Sequence, residues 1–206
     1  MIRRHVIDRG VTDEPVLTAM RATPREKFFA PDDRDDAYLG QATPIGYGQT
    51  ISEPYIVALM SQALHLNKSH RVLELGTGTG YHTAILSQLA GEVYSIERIK
   101  PLLDDAFERL LDMNVRNVKF RHGDGTHGWP EAAPFDRITI AAGAPQIPRK
   151  LLLSQLKDGG IAVLPHGPME RQMLVSATRS GDEIHLTNLC PCRFVKLVGV
   201  EGWPEE

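Results

Sequence analysis

Gly76, Gly78 and Gly80 stand together in the run Val72-Leu73-Glu74-Leu75-Gly76-Thr77-Gly78-Thr79-Gly80-Tyr81, and Glu97 follows 21 positions after Gly76. Bare backbone at such a turn can approach a nucleoside closely, and a carboxylate at that distance can accept hydrogen bonds from ribose hydroxyls. The spacing selects the nucleoside. A dinucleotide fingerprint calls for a third glycine at position 81, where the first helical turn closes over a pyrophosphate; this chain has Tyr81 there. Glycines at 76, 78 and 80, with Glu74 just before the turn, suit a ligand without phosphate. The triplet on its own fits a tight strand-to-helix turn equally well. Asp124, between Gly123 and Gly125, is a second carboxylate. It could accept from an adenine amine or simply close an Asp-Gly turn. Ser52, two residues before Pro54, offers a hydroxyl either to a substrate or to the start of a helix.

Other reactive side chains point to less. Cys190 and Cys192 flank Pro191. On an extended segment both face one side, but a disulfide across one residue is strained, and two thiols without nearby partners make no zinc site. They read as reduced thiols. His122 and His127 flank the Asp124 turn without the further donors a metal needs, so no metal is expected. His82 reads as a helix-surface residue.

The elements that must position these groups follow from patterning. Asp13 or Thr12 can cap a short helix with Pro15 in its first turn. Asp32 to Asp36 reads as a charged, solvated connector. The glycines and prolines from Ala42 to Tyr55 exclude regular helix and suggest a shaped loop; a helix follows from Pro54 to about Leu64. From residue 71 strands alternate with helices. Strands are expected at Arg71–Leu75, Glu92–Ile96, Val118–His122, Arg137–Ala141 and Gly160–Pro165, and helices at Thr83–Ala90, Pro101–Met113 and Pro148–Leu156. Asn114 and Gly159-Gly160 supply helix stops. Apolar strands alternating with helices indicate a parallel sheet covered on both faces. Gln172–Thr178 and Glu183–Leu189, joined through Arg179-Ser180-Gly181-Asp182, read as an antiparallel hairpin at its edge. Ligands of such sheets bind beyond the C-terminal strand ends. That rule gathers Gly76 to Gly80, Glu97, Asp124 and Ala141 to Pro145 at one rim.

Composition sets the outer bounds. The 206 residues suffice for one domain with a real core; residues 1–50 are expected as a helical, substrate-side extension and 51–206 as the core. A net charge of −3 argues against a broad nucleic-acid surface. No apolar run approaches the ~20 residues of a membrane span, and the basic N-terminus lacks the apolar segment of a secretory signal. A monomeric cytoplasmic protein is expected.

Five blocks make the reading more specific: Pro44 to Tyr55 with its Gly-x-Gly-Gln-Thr-Ile-Ser core; Val72 to Tyr81 with Ser95-Ile96-Glu97-Arg98; Arg121 to Gly125; Pro134-Phe135-Asp136 with Ala141-Ala142; and Arg193-Phe194-Val195-Lys196-Leu197-Val198. The second resembles the first motif of the S-adenosylmethionine-dependent methyltransferases. Together the five resemble the protein-L-isoaspartate (D-aspartate) O-methyltransferases, from about residue 24 to residue 198. The resemblance implies an α/β, Rossmann-like class I S-adenosyl-L-methionine (SAM)-dependent methyltransferase fold. It would have a mostly parallel seven-stranded sheet, an antiparallel edge hairpin and an N-terminal helical extension. It further implies methyl transfer to the α-carboxylate of L-isoaspartyl residues in damaged proteins, leaving S-adenosyl-L-homocysteine. Thr50, Gly76, Thr77, Gly78, Gly80, Glu97, Arg98, Asp124 and Gly125 would hold the cofactor. Ile51, Ser52, Tyr55, Phe194 and Val195 would hold the peptide, with Ser52 as the residue closest to the chemistry. Lys196 stands where the family often has proline, which bears on peptide selectivity.

Three other readings compete. A relative could methylate an aspartate in a dedicated peptide during natural-product maturation; such relatives often carry added C-terminal sequence, and here the chain ends soon after the last block. A base methyltransferase would show an Asp or Asn-Pro-Pro-aromatic motif after the fourth strand, where this chain has Ala141-Ala142-Gly143-Ala144-Pro145. A SAM-binding accessory protein would bind without transfer.

Overall fold

A computed structural model describes residues 1–205. Two helices open the chain, α1 (Ile2–His5) and α2 (Glu14–Ala22). α2 begins where its sequence dictates. The Asp13 side chain accepts from the Val16 N–H, and Pro15 sits in the first turn, where a missing N–H costs nothing. Val16, Leu17, Ala19 and Met20 form its buried side. The expected connector at 32–36 is instead wound into a 3-10 segment, Pro31–Tyr38, whose one buried residue is Ala37.

The Gly/Pro-rich stretch excludes helix as expected, yet it is not a plain loop. β1 (Thr43–Gly46) and β2 (Gln49–Ile51) pair antiparallel. Their tip passes through Gly46, Tyr47 and Gly48 at φ of 88°, 53° and 69°, which reverses the chain tightly. Strands of four and three residues are too short for alternation to reveal. α3 (Pro54–Ala63) follows.

β3 (Arg71–Leu75), α4 (Tyr81–Leu89), β4 (Glu92–Glu97), α5 (Lys100–Asp112), β5 (Val118–His122), β6 (Phe135–Ile140), α6 (Arg149–Gln155) and β7 (Leu156–His166) then alternate, and β8 (Gln172–Ser180) and β9 (Glu183–Cys192) form the terminal hairpin. The seven-stranded sheet has the order β5-β4-β3-β6-β7-β8-β9. Its first five strands run parallel, β8 pairs antiparallel with β7, and β9 antiparallel with β8. The order reverses at β3, and with both faces covered its apolar residues are fully buried.

One expected boundary is wrong. Gly159-Gly160 do not stop α6, which ends at Gln155; they lie inside β7. Leu156 pairs with Phe135 and Ile161 with Arg137, so β7 carries extra residues that bulge out. Gly159 adopts φ 72° within that bulge, and a methyl on Gly160 would meet Leu156 Cγ at 2.7 Å. The pair is a bulge signal rather than a cap.

The N-terminal segment forms a layer outside the sheet. Val6, Leu17, Met20 and Phe28 share one apolar cluster with Val57 and Ala58 of α3 and Tyr81, Ile85 and Leu89 of α4. α4 is therefore covered on both sides, and nearly all of its residues are buried.

Candidate active site

The glycine turn lies at the C-terminal end of β3, an interior strand flanked by β4 and β6. Gly76 N–H donates to the Ile96 carbonyl and Ala141 N–H to the Leu75 carbonyl, both at 2.8 Å, so three strand ends are locked side by side. Gly76, Gly78 and Gly80 all have positive φ (94°, 54° and 86°), backbone that side chains disfavour. Glu97 braces this turn from the end of β4. One carboxylate oxygen accepts from Gly78 N–H and the other from Ile99 N–H, each at 2.9 Å. Each oxygen keeps a second lone pair, enough to accept from a ribose diol.

A cavity of about 640 Å³ opens over this rim. Its lining brings together Thr50, Ile51, Ser52, Gly76, Thr77 and Gly78 with Glu97, Arg98, Gly125 and Val195. A second cavity, of about 210 Å³, adjoins it and is lined by Thr50, Ser52, Phe194 and Val195 among others. Three expected residues stand back from both. Gly80 is the N-cap of α4, where a methyl would meet Leu110 at 3.1 Å. Tyr55 lies under the Arg9 guanidinium, 3.6 Å from its ring centroid. Asp124 caps the 3-10 turn Gly125–His127, its Oδ1 accepting from the Thr126 N–H and hydroxyl at 2.7 Å. Arg98 is ion-paired with Glu205 at 2.9 Å.

Ser52 lies at the junction of the two cavities. It does not cap α3: the N-cap is Glu53, without a side-chain cap bond. Among the described residues the Ser52 hydroxyl has no hydrogen-bond partner, while its carbonyl accepts from Arg25 Nη2 at 2.7 Å. Across the smaller cavity the Phe194 backbone is held by one side chain. Gln172, 2% exposed, accepts from Phe194 N–H at 2.6 Å and donates to its carbonyl at 3.2 Å. Val195 and Leu197 pair instead with Gly143. The Arg193–Val198 block thus becomes a rigid wall without belonging to the main sheet.

Beneath the glycine turn is a polar cluster that sequence reasoning missed. Glu74 is fully buried, and its Oε2 accepts from the Ser95 and Thr83 hydroxyls at 2.6 Å each. Thr77 in turn bonds Ser95 at 2.6 Å. Burial pushes the Glu74 carboxyl up to about 7, against the pull of its two hydroxyl donors. His82 is not on the surface. It is 8% exposed because it faces Ser61 of α3 and Glu74 of β3, and burial lowers its pKa to about 4. The Ser61 proton goes to the Val57 carbonyl, so His82 Nε2 must donate to Ser61 Oγ across 3.1 Å. That leaves Nδ1 bare, facing Glu74 Oε1 at 3.9 Å, an oxygen with no other partner. The one available signal was a glutamate inside an otherwise apolar strand.

Cys190 and Cys192 are free thiols on one side of β9, packed against the same apolar cluster, and burial pushes Cys192 up to about 12. Among the described residues no group of three or more candidate ligands could hold a metal, and no helix is long and apolar enough to cross a membrane.

An open sheet reversing at β3, a glycine turn at its end and a carboxylate closing the next strand define a class I, Rossmann-like SAM-dependent methyltransferase. The chain belongs to the protein-L-isoaspartate O-methyltransferase family: the family model described as Protein-L-isoaspartate(D-aspartate) O-methyltransferase (PCMT) matches residues 1–202. It is 49% identical over 198 residues to the Protein-L-isoaspartate O-methyltransferase of Dictyoglomus thermophilum, covering 96% of this chain and 90% of that one. The Maricaulis maris protein of the same name is 52% identical over 193 residues, covering 94% and 90%. The fold matches a Plasmodium falciparum structure of this kind, solved with S-adenosyl-L-homocysteine, at a TM-score of 0.80 and 24% identity over 93% and 94% of the two chains. A second solved protein-L-isoaspartate O-methyltransferase gives 0.81 at 27% identity, over 95% of this chain and 64% of the other.

Proposed function

We propose that this protein repairs damaged proteins by methylating the α-carboxylate of L-isoaspartyl residues, with SAM as methyl donor. Family membership supports the reaction class. The observation that carries the acceptor reading is the uncommitted Ser52 hydroxyl at the junction of a nucleoside-sized cavity and a smaller one. When bound, SAM supplies a sulfonium methyl that a carboxylate oxygen attacks in line, the sulfur keeping the bonding pair. The residues present fit that donor. Glu97 has lone pairs to spare for a diol, and Gly76, Thr77 and Gly78 expose backbone where a side chain would intrude. Gly125, beside Asp124, serves the adenine end, and Arg98 the outer rim.

The acceptor side asks for placement rather than proton transfer. A carboxylate with a pKa near 4 is already ionised at neutral pH, so no general base is required. Ser52 donates to one carboxylate oxygen and leaves the other aimed at the methyl group, with Thr50 and Ile51 shielding it from water. Phe194 and Val195 hold the peptide flanking the damaged residue, and Tyr55 supports the loop from behind. The protein works as a cytoplasmic monomer, one methyltransferase domain with residues 1–50 as its substrate-side extension, on protein rather than nucleic acid or membrane surfaces; its net charge of −3 accords with that. The test is methyl transfer to an isoaspartyl peptide and to its normal aspartyl twin. Transfer to the first alone is expected. Equal transfer to both would favour a dedicated peptide substrate, and cofactor binding without transfer an accessory role.

A further inference from the structure

Behind Ser52 lies a cation buried without a counter-charge. Arg25 is 1% exposed, in the N-terminal layer. Its Nε donates to the Ala37 carbonyl at 2.9 Å and its Nη2 to the Ser52 carbonyl at 2.7 Å. Nη1 makes no hydrogen bond of good geometry, the Tyr81 hydroxyl standing only as a poorly aligned neighbour of the guanidinium, and among the described residues no carboxylate pairs with it. The nearby acids are committed elsewhere: Glu53 to Arg9 at 3.0 Å, and Glu26 to the Tyr38 hydroxyl. The guanidinium centre lies 4.6 Å from the centroid of the Tyr81 ring and 5.4 Å from that of Phe29. Tyr81 lines the large cavity, and its own buried hydroxyl also lacks a partner of good geometry, though it is close enough to Arg25 for each to influence the other's ionisation.

Arginine stays protonated even when burial disfavours its charge. A buried cation with no acid beside it is costly, and an apolar residue would spare that cost. Two neutral carbonyls and the neutral Tyr81 hydroxyl surround it, and none of them offsets its charge. What the charge can serve is an anion arriving at Ser52.

We propose that Arg25 is a positioning residue that makes the acceptor site selective for an ionised carboxylate, holding Ser52 by its carbonyl and setting an unneutralised positive charge behind it. The inference rests on the proposed acceptor role of Ser52. Methylation converts the acceptor into a neutral ester, so the attraction that drew the substrate in is lost with the negative charge, and product leaves more readily than substrate.

The test compares binding of an isoaspartyl peptide with that of its α-carboxamide analogue, equal in shape but neutral, to protein saturated with S-adenosyl-L-homocysteine. Wild-type protein is expected to prefer the carboxylate by on the order of tenfold, the scale of one interaction with a charged group. Arg25→Met should bring the ratio close to one by weakening only the carboxylate peptide. Arg25→Lys keeps charge without the fork to Ser52, so it should retain most of the preference while kcat falls. If Arg25→Met weakens both peptides equally and leaves the ratio intact, Arg25 is merely structural and the inference is overturned. Should the methionine variant not fold, the lysine variant decides: loss of the preference with charge retained overturns the inference as well. A wild-type protein that methylates no isoaspartyl peptide instead removes the functional reading beneath it, before any variant is compared.

Discussion

Ser52 was legible as a chemical residue from its motif, but not which of two roles it fills. The sequence places it two residues before a helix-starting proline, a position equally suited to capping and to binding. Only the backbone geometry separates the two: Glu53 is the N-cap, so the serine hydroxyl stays available to the cavities. Ser52→Ala should lower kcat/KM for an isoaspartyl peptide about a hundredfold, the scale of losing one preorganised donor. SAM affinity, measured by calorimetry, should change less than about twofold, since the cofactor's proposed contacts lie at the glycine turn and Glu97. Unchanged turnover would remove Ser52 from the chemistry. His82 teaches the converse. Its neighbours in sequence give no hint of burial, because what it packs against, Ser61 and Glu74, lies on other elements of the fold.

At the scale of elements, the three glycines of the turn do different work. A methyl on Gly80 (φ 86°) would meet Leu110 at 3.1 Å and Ala106 at 3.3 Å, both on α5. Gly80→Ala should therefore cost about 2 kcal/mol of stability, from strained backbone and α5 displacement. A methyl on Gly78 (φ 54°) would have only Ile45 nearby, at 3.8 Å, and Gly78 lies on the cavity. Gly78→Ala should cost about 1 kcal/mol or less in the fold yet weaken SAM binding about tenfold. Denaturant midpoints and calorimetry on both variants check the split; the same effect from each would contradict it. The peptide-side wall depends on Gln172. Gln172→Leu strands the Phe194 N–H and carbonyl, which should cost about 1–3 kcal/mol of stability. Peptide KM should rise while SAM affinity holds. A normal peptide KM would show that the wall needs no such support. Gln172 begins β8 as expected, but its long-range partner is invisible in a linear reading.

For the molecule as a whole, the buried Glu74 and His82 pull its pH dependence in opposite directions. Glu74 has a raised pKa, so its contribution to stability is full below its ordinary value of 4.5 and is lost as pH rises through about 7. His82 has a lowered pKa, so its contribution is full above 6.5 and is lost as pH falls through about 4. Between these limits the two slopes nearly cancel. His82→Gln removes one of them. Relative to wild type, the variant should lose about 2 kcal/mol of unfolding free energy between pH 5 and pH 7.5. Parallel curves for the two proteins, measured by denaturant unfolding, would show that this pair does not titrate as described.

Local rules were enough for the strand and helix alternation, the Asp13 cap, the parallel sheet and the terminal hairpin. Each rests on periodicity or on residues a few positions apart. The glycine turn and Glu97 were legible for the same reason, because the fold rule that joins strand ends acts on consecutive units. The tertiary structure decided what depends on residues far apart in sequence. It folded 43–51 into a hairpin, turned Gly159-Gly160 into a bulge and buried His82 against Ser61 and Glu74. It also set Arg25 behind Ser52, a pairing across 27 positions. Burial and unpaired charge are properties of what surrounds a residue, and no local pattern encodes them.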